Sequence, residues 1–330
     1  MRRGFVPLLG CLLPPVVVLA ALFVGRSSGG GPGDFIALLN GTLEAAREPL
    51  LRTIFFDVRL PRILLVFTVG GVLALCGGAL QAVFRNPLVS PYVLGLSSGA
   101  AFGAALAMSL SLAPIPLFAF VSGLGAIALS YFMALRKRSV SVVSLILAGI
   151  IVNGIFTALL TVVQFLSDPF RLQSIVHWTM GNFQTASWEK LRAVLLPCGV
   201  GAAVLLLLRW RLNVLALGDD EARTVGIGPA REKTVILLFV SLASSAAVSV
   251  SGIIALYGLV IPHVVRMLIG VDHRRSLPLN LAFGGTFLVA IDTISRSLTD
   301  FEIPIGIFTM LIGAPFFIYL LKKSHIGWES

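Results

Sequence analysis

Apolar residues in this chain come in runs of about twenty, each closed by a short stretch rich in arginine, lysine, glycine or proline. About twenty apolar residues let a helix cross a hydrocarbon layer of roughly 30 Å. Ten such runs stand out, at 7–25, 62–84, 92–110, 115–135, 142–166, 190–209, 232–251, 253–270, 278–297 and 304–321. Neighbouring runs are most easily merged at Ser251-Gly252 and around Ala113-Pro114. The pattern predicts an all-α polytopic membrane protein of about ten transmembrane helices, in a single transmembrane domain over 1–330. Two connections exceed a turn. Residues 26–58 start Gly/Ser-rich and become mildly helical. Residues 210–231 read as one or two short amphipathic helices around Gly218 and Gly226. Leu212, Leu215 and Leu217 would face the membrane there, and Asp219, Asp220, Glu221 and Arg223 water.

Composition agrees: 57% of the 330 residues are hydrophobic and 12% charged, with a mean hydropathy of +0.97. A soluble domain cannot hide that much apolar surface. The net charge of +10 sits in short clusters between apolar runs, which suits anionic lipid headgroups better than nucleic acid. Cys11, Cys76 and Cys198 form no paired motif and read as small buried hydrophobes. The N-terminus imitates a signal peptide, and Leu8-Leu9-Gly10-Cys11 a lipobox. The apolar stretch before Cys11 is too short, however, and it continues to Val24. It reads as a retained first span.

Ten spans put both termini on one side. With the N-terminus inside, 16 of the 25 basic residues and six of the 15 acidic ones lie inside, and the outside is neutral. That is the asymmetry expected with both termini cytoplasmic. Segment 26–58 is then external and 212–228 cytoplasmic. Arg59 and Arg62 fall outside, where charge bias does not ask for them; they either snorkel to headgroups or meet an acidic partner.

Asp292 is the one carboxylate inside an expected span, and Arg296 lies within i,i+4 reach as its pairing partner. Asn153, Thr157, Thr161 and Gln164 recur at three and four residues. They place a polar stripe on one helix face, to line a wet pathway or to bond a neighbouring helix. No metal-spaced cluster, nucleophile motif or Walker A signature is present, and GGGPGD lacks the lysine of a phosphate loop. The chain is therefore not expected to be an enzyme. The rival transport reading is a proton-coupled secondary transporter working through Asp292.

Four stretches carry more than hydrophobicity: RLPR at 59–62, QAVFRNPLVSPYVLGLSSGA at 81–100, LALGDDEARTVGI at 215–227, and 251–278 continued through AIDTISR (290–296) to 302–323. In this order they resemble the permease subunits of ABC importers for iron chelates, haem and vitamin B12, from about residue 55 to 323. The resemblance implies a type II importer permease, paired as a homodimer. Two cytoplasmic ATPase subunits would supply ATP and Mg chemistry, with no cofactor in this chain, and an extracytoplasmic substrate-binding protein would deliver the cargo. It assigns Arg59, Arg62 and Arg296 to binding-protein docking. It assigns Leu217, Gly218, Asp219, Asp220, Glu221, Ala222 and Arg223 to ATPase coupling, and Asn86, Leu88, Ser141, Val142 and Val143 to an inner gate. The implied location is a bacterial or archaeal cytoplasmic (inner) membrane. The implied cargo is a metal chelate, a ferric siderophore first and haem or cobalamin next.

Overall fold

The computed structural model describes residues 2–25, 30–43, 46–136 and 139–323. Lys137, Arg138, Glu329 and the first part of the Gly/Ser stretch, 26–29, lie outside the described residues. Apart from a two-residue ladder pairing Leu135–Arg136 with Ser139–Val140, the regular structure described is helical. The helices are α1 (Arg2–Phe23), α2 (Pro32–Leu39), α3 (Glu48–Arg52), α4 (Leu60–Phe84), α5 (Leu96–Ser109), α6 (Ile115–Ala134), α7 (Val142–Leu166), α8 (Pro169–Thr179), α9 (Trp188–Leu207), α10 (Arg209–Leu217), α11 (Asp219–Thr224), α12 (Pro229–Ser251), α13 (Tyr257–Ile269), α14 (His273–Ser295) and α15 (Ile305–Lys323).

Each expected apolar run finds a helix at its place. Among the described residues, six helices are long and apolar enough to cross a membrane: the 37-residue run Glu48–Phe84, which contains α4, and α6, α7, α9, α12 and α14. Four apolar stretches are shorter: Leu8–Phe23, Leu96–Ser109, Tyr257–Ile269 and Ile305–Tyr319. Prolines and left-handed residues explain two of the short ones. Helix α4 stops at Arg85, which takes φ 51°, and a single turn, Pro91–Leu94, precedes α5. Pro87 and Pro91 cannot donate backbone hydrogen bonds, so the helix breaks there as the sequence predicts. Before α13, Gly252 (φ 70°) and Leu256 (φ 61°) break the chain in the same way. The two breaks meet, because the Tyr92 hydroxyl donates to Ile254 O at 2.5 Å. Backbone carbonyls and amides at such breaks are tolerated where protein buries them.

Helix α4 is the centre of the molecule. Its apolar stretch is 83% buried, against 17% for α7. It packs lengthwise on α14 and α13, with glycines at the contacts. A Cβ added at Gly77 would stand 1.8 Å from the Gly258 carbonyl oxygen, and one at Gly70 would stand 2.6 Å from Gly284 O. The α4–α14 pair is therefore packed backbone against backbone, with no room for a side chain at Gly70 or Gly284, and forms a two-helix strut. Cys76 and Cys198 are buried, as expected of small hydrophobes, whereas Cys11 is exposed on α1.

Candidate functional site

The strut carries charged groups at both ends. At one end stand the three arginines singled out in the sequence. A π-helical turn, Thr53–Arg59, feeds into α4; such turns often mark functional positions. Arg59 is 4% exposed. Its Nη1 donates to Leu22 O at 2.8 Å and to Gly30 O at 2.7 Å, and its guanidinium lies 5.4 Å from the Phe55 ring centroid. Arg62 is 9% exposed. Its Nη2 and Nε donate to Asp292 Oδ1 and Oδ2 at 2.8 and 3.1 Å. Its Nη1 and Nη2 also donate to the two Glu302 oxygens at 2.9 and 3.0 Å. Arg296, 8% exposed, donates from Nη2 to Ala21 O at 2.6 Å.

The arginines are thus not free cations on a surface. The sequence expectation paired Asp292 with Arg296 by helical spacing. The structure gives Asp292 mainly to Arg62, across 230 residues of sequence. Arg296 Nε stands 3.8 Å from Asp292 Oδ2 and makes no hydrogen bond. The reason is geometric. Arg62 presents a flat fork to both carboxylates at once, which is the strong arrangement, whereas Arg296 is drawn toward the end of α1. Three guanidinium groups here face two carboxylates. Glu302, whose side chain is 30% exposed, is the cluster's outermost acid. Nothing in the local sequence pattern marks it beyond its place just before α15.

At the other end lie α10 and α11, joined at Gly218 in an extended conformation. Leu212 and Leu215 are fully buried, against the expectation that they face the membrane; Leu217 is 71% exposed. The α10 helix packs on α4 and α14, so its apolar side turns into the bundle. Ala222 is buried, which seats α11. Asp219 pairs with Lys233 at 2.6 Å and Asp220 with Arg223 at 2.6 Å, so the acidic run is only partly free. A junction not anticipated from sequence fixes α10 to α14. Asn213 Nδ2 donates to Asp272 Oδ1 at 2.7 Å, and the His273 amide donates back to Asn213 Oδ1 at 2.7 Å. Asn213 and the Arg274 amide hold the Asp272 carboxyl below the usual carboxylate range. These two bonds tie α10 to the start of α14.

The gate and pathway residues are distributed rather than clustered. Asn86 Oδ1 accepts from the Leu88 amide at 2.9 Å, and Ser141 Oγ caps α7 by accepting from the Ser144 amide at 3.0 Å. Leu88 and Val143 are exposed, and Val142 packs against the core. Asn153 turns inward: Ser98 Oγ donates to its Oδ1 at 2.8 Å, and its Nδ2 donates to Tyr92 O at 3.3 Å. It bonds a neighbouring element, one of the two roles open to it. Thr157 and Thr161 are exposed, the Thr161 hydroxyl donating to Thr157 O, and Gln164 is half-buried. The segment 168–188 contains α8, capped by Asp168. His177 and Trp178 line a cavity of about 490 Å³ beside it. Among the described residues no group of three or more His, Cys, Asp or Glu is placed to hold a metal ion.

Known proteins resemble this arrangement over its whole length. The molybdate import system permease protein MolB of Haemophilus influenzae is 39% identical over 324 residues, covering 96% of each chain. The hemin transport system permease protein HmuU of Yersinia pestis is 37% identical, again over 96% of each chain. A solved structure described as an inward-facing conformation of a putative metal-chelate type ABC transporter superposes with a TM-score of 0.87. It is 37% identical and covers 97% of this chain and 100% of that one. The FecCD transport family matches residues 13–323, and the chain belongs to that family of ABC importer permeases.

Proposed function

We propose that the chain is the membrane-spanning subunit of an ATP-driven importer for a metal chelate, working as one of two copies. All ten apolar helices cross the cytoplasmic membrane, with both termini and the α10–α11 pair inside. Two separate ATPase subunits bind at Leu217–Arg223 and supply the energy. A substrate-binding protein docks at the Arg59, Arg62 and Arg296 end. The observation that carries this reading is the connection of the two sites through one strut. A cytoplasmic helix pair is hydrogen-bonded through Asn213 to the start of α14, and the other end of α14 carries Asp292 and Arg296. A rigid element with a partner site at each end can pass a domain motion across a membrane. The exposed apolar face of α7, with Leu147, Ile150 and Ile151, suits the second copy or lipid.

The proton-coupled alternative is disfavoured by Asp292 itself, whose two oxygens are both engaged by Arg62. A ferric siderophore remains the first candidate cargo, followed by haem and cobalamin, and the molybdate relative adds an oxyanion to the panel. The test is uptake in cells expressing the chain with its ATPase and binding protein, against a deletion strain. Labelled ferric siderophores, haem, cobalamin and molybdate are offered with and without ATP depletion. Uptake of one cargo that disappears on ATP depletion supports the reading. Uptake of none of them with ATP present contradicts it.

A further inference from the structure

A cavity of about 680 Å³ opens at the Arg85 end of the strut, walled by the end of α4, by α10 and by the α13–α14 turn. Its polar lining is Gln81, Arg85, Asn86, Asn213, Arg266, Asp272 and His273. The one carboxylate, Asp272, already accepts from Asn213 and from the Arg274 amide. Asn213 Oδ1 accepts from the His273 amide. The cations are not committed in that way. Arg266 Nη2 donates only to the neutral Gln81 Oε1, at 2.8 Å. Arg85 makes no ion pair among the described residues, and Gln81, 3% exposed, leaves Nε2 without a partner. A buried donor without an acceptor is costly, and native structures rarely keep one unless something else satisfies it.

The backbone adds an independent sign. Arg85 occupies the left-handed region at φ 51°, ψ 30°, where it ends α4. Glycine would end the helix there without strain. The residue here is instead a cation at the mouth of a basic cavity.

We propose that this cavity is a binding site for a phosphate-class anion, held by Arg85 and Arg266 with Gln81 Nε2 as a further donor. Guanidinium groups suit such oxygens because their forked donors bind two at a time. The anion would bridge the end of α4 and α13, which carry these donors, beside α10, which forms another wall of the cavity. Inorganic phosphate and the phosphodiester of an anionic phospholipid share this chemistry. The proposal stands on the cavity alone and does not need the transport reading.

The test is thermal unfolding of the full chain in neutral detergent, titrated with inorganic phosphate against chloride at matched ionic strength. A parallel titration uses phosphatidylglycerol against phosphatidylcholine in mixed micelles. Arg85→Gly serves as the variant because it relieves the left-handed strain and folds at least as well. The wild type should be stabilised by one of the two anions, and that response should weaken at least tenfold in apparent affinity in Arg85→Gly while Arg85→Lys keeps most of it. Response to phosphate alone identifies a free anion, and response to phosphatidylglycerol alone identifies a lipid headgroup. No stabilisation by either, or an unchanged response in Arg85→Gly, would overturn the proposal.

Discussion

At the Arg62 end of the α4–α14 strut, charge is buried and paired; at the α10–α11 end, charge stands at the surface. Arg62 and Asp292 have side chains 11% and 2% exposed, whereas Arg223 and Asp220 are 65% and 91% exposed. Removing one partner of a buried ion pair leaves the other charge uncompensated, so its loss is expensive. Exposed pairs are screened and contribute little to stability. The first end is thus built to keep one shape, and the second is free to be covered by another protein. The same residue types serve different purposes, and burial decides which.

Removing residues 218–223 should have the largest effect and break the comparison from its exposed side. ATPase activity and cargo uptake should become uncoupled completely, and stimulated turnover of the purified complex checks this. Full coupling after the deletion would remove α11 from the mechanism. Asp292→Ala attacks the buried side. It leaves Arg62 with Glu302 alone and takes the Asp292 carboxylate away from Arg296, and should lower stability by about 3 kcal/mol, the low end of the cost of orphaning one partner of a buried pair. Denaturant or thermal unfolding of the purified chain reads it, and a loss under about 1 kcal/mol would mean that water reaches the cluster.

Glu302→Gln sharpens the contrast. Glu302 is the exposed acid that shares Arg62, so it competes with any carboxylate a docking partner offers. The variant should bind the substrate-binding protein up to about fivefold more tightly, the factor that corresponds to ~1 kcal/mol. Surface plasmon resonance on the reconstituted permease measures it, and weaker binding would show that Glu302 orders the docking surface instead. The smallest effect concerns pH. Asp272 is held below the ordinary carboxylate range in the folded chain. The stability it contributes is therefore present above the unfolded carboxylate range and is lost as pH falls through the lowered value. Acidification should loosen the α10–α14 junction, and Asp272→Asn should flatten that part of the pH profile of unfolding.

Much of the helix layout was legible in the sequence because the membrane demands one local property, a long apolar run, and proline and glycine mark where it stops. The break after Arg85 and the break at Gly252 could both be read from neighbouring residues. The partner of Arg62 could not. Asp292 lies 230 positions away, and only the packing of α4 against α14 through Gly70 and Gly284 brings them together. Helical spacing offered Arg296 as the partner, which is correct for distance along α14 but ignores the stronger fork across the helix pair. Leu212 and Leu215 were misdirected for a similar reason. Amphipathicity shows that one face is apolar, not whether lipid or protein covers it. Asn213 lies outside every motif, and Gln81 and Arg266 lie inside two of them without a role of their own; they become notable only once several elements share one cavity.

The most direct test of the account encloses ATP in proteoliposomes that carry the chain with its ATPase subunits. The binding protein and labelled cargo are added outside, and no proton gradient is present. Uptake should then require both ATP and the binding protein. Uptake driven by an imposed proton gradient without ATP would contradict it.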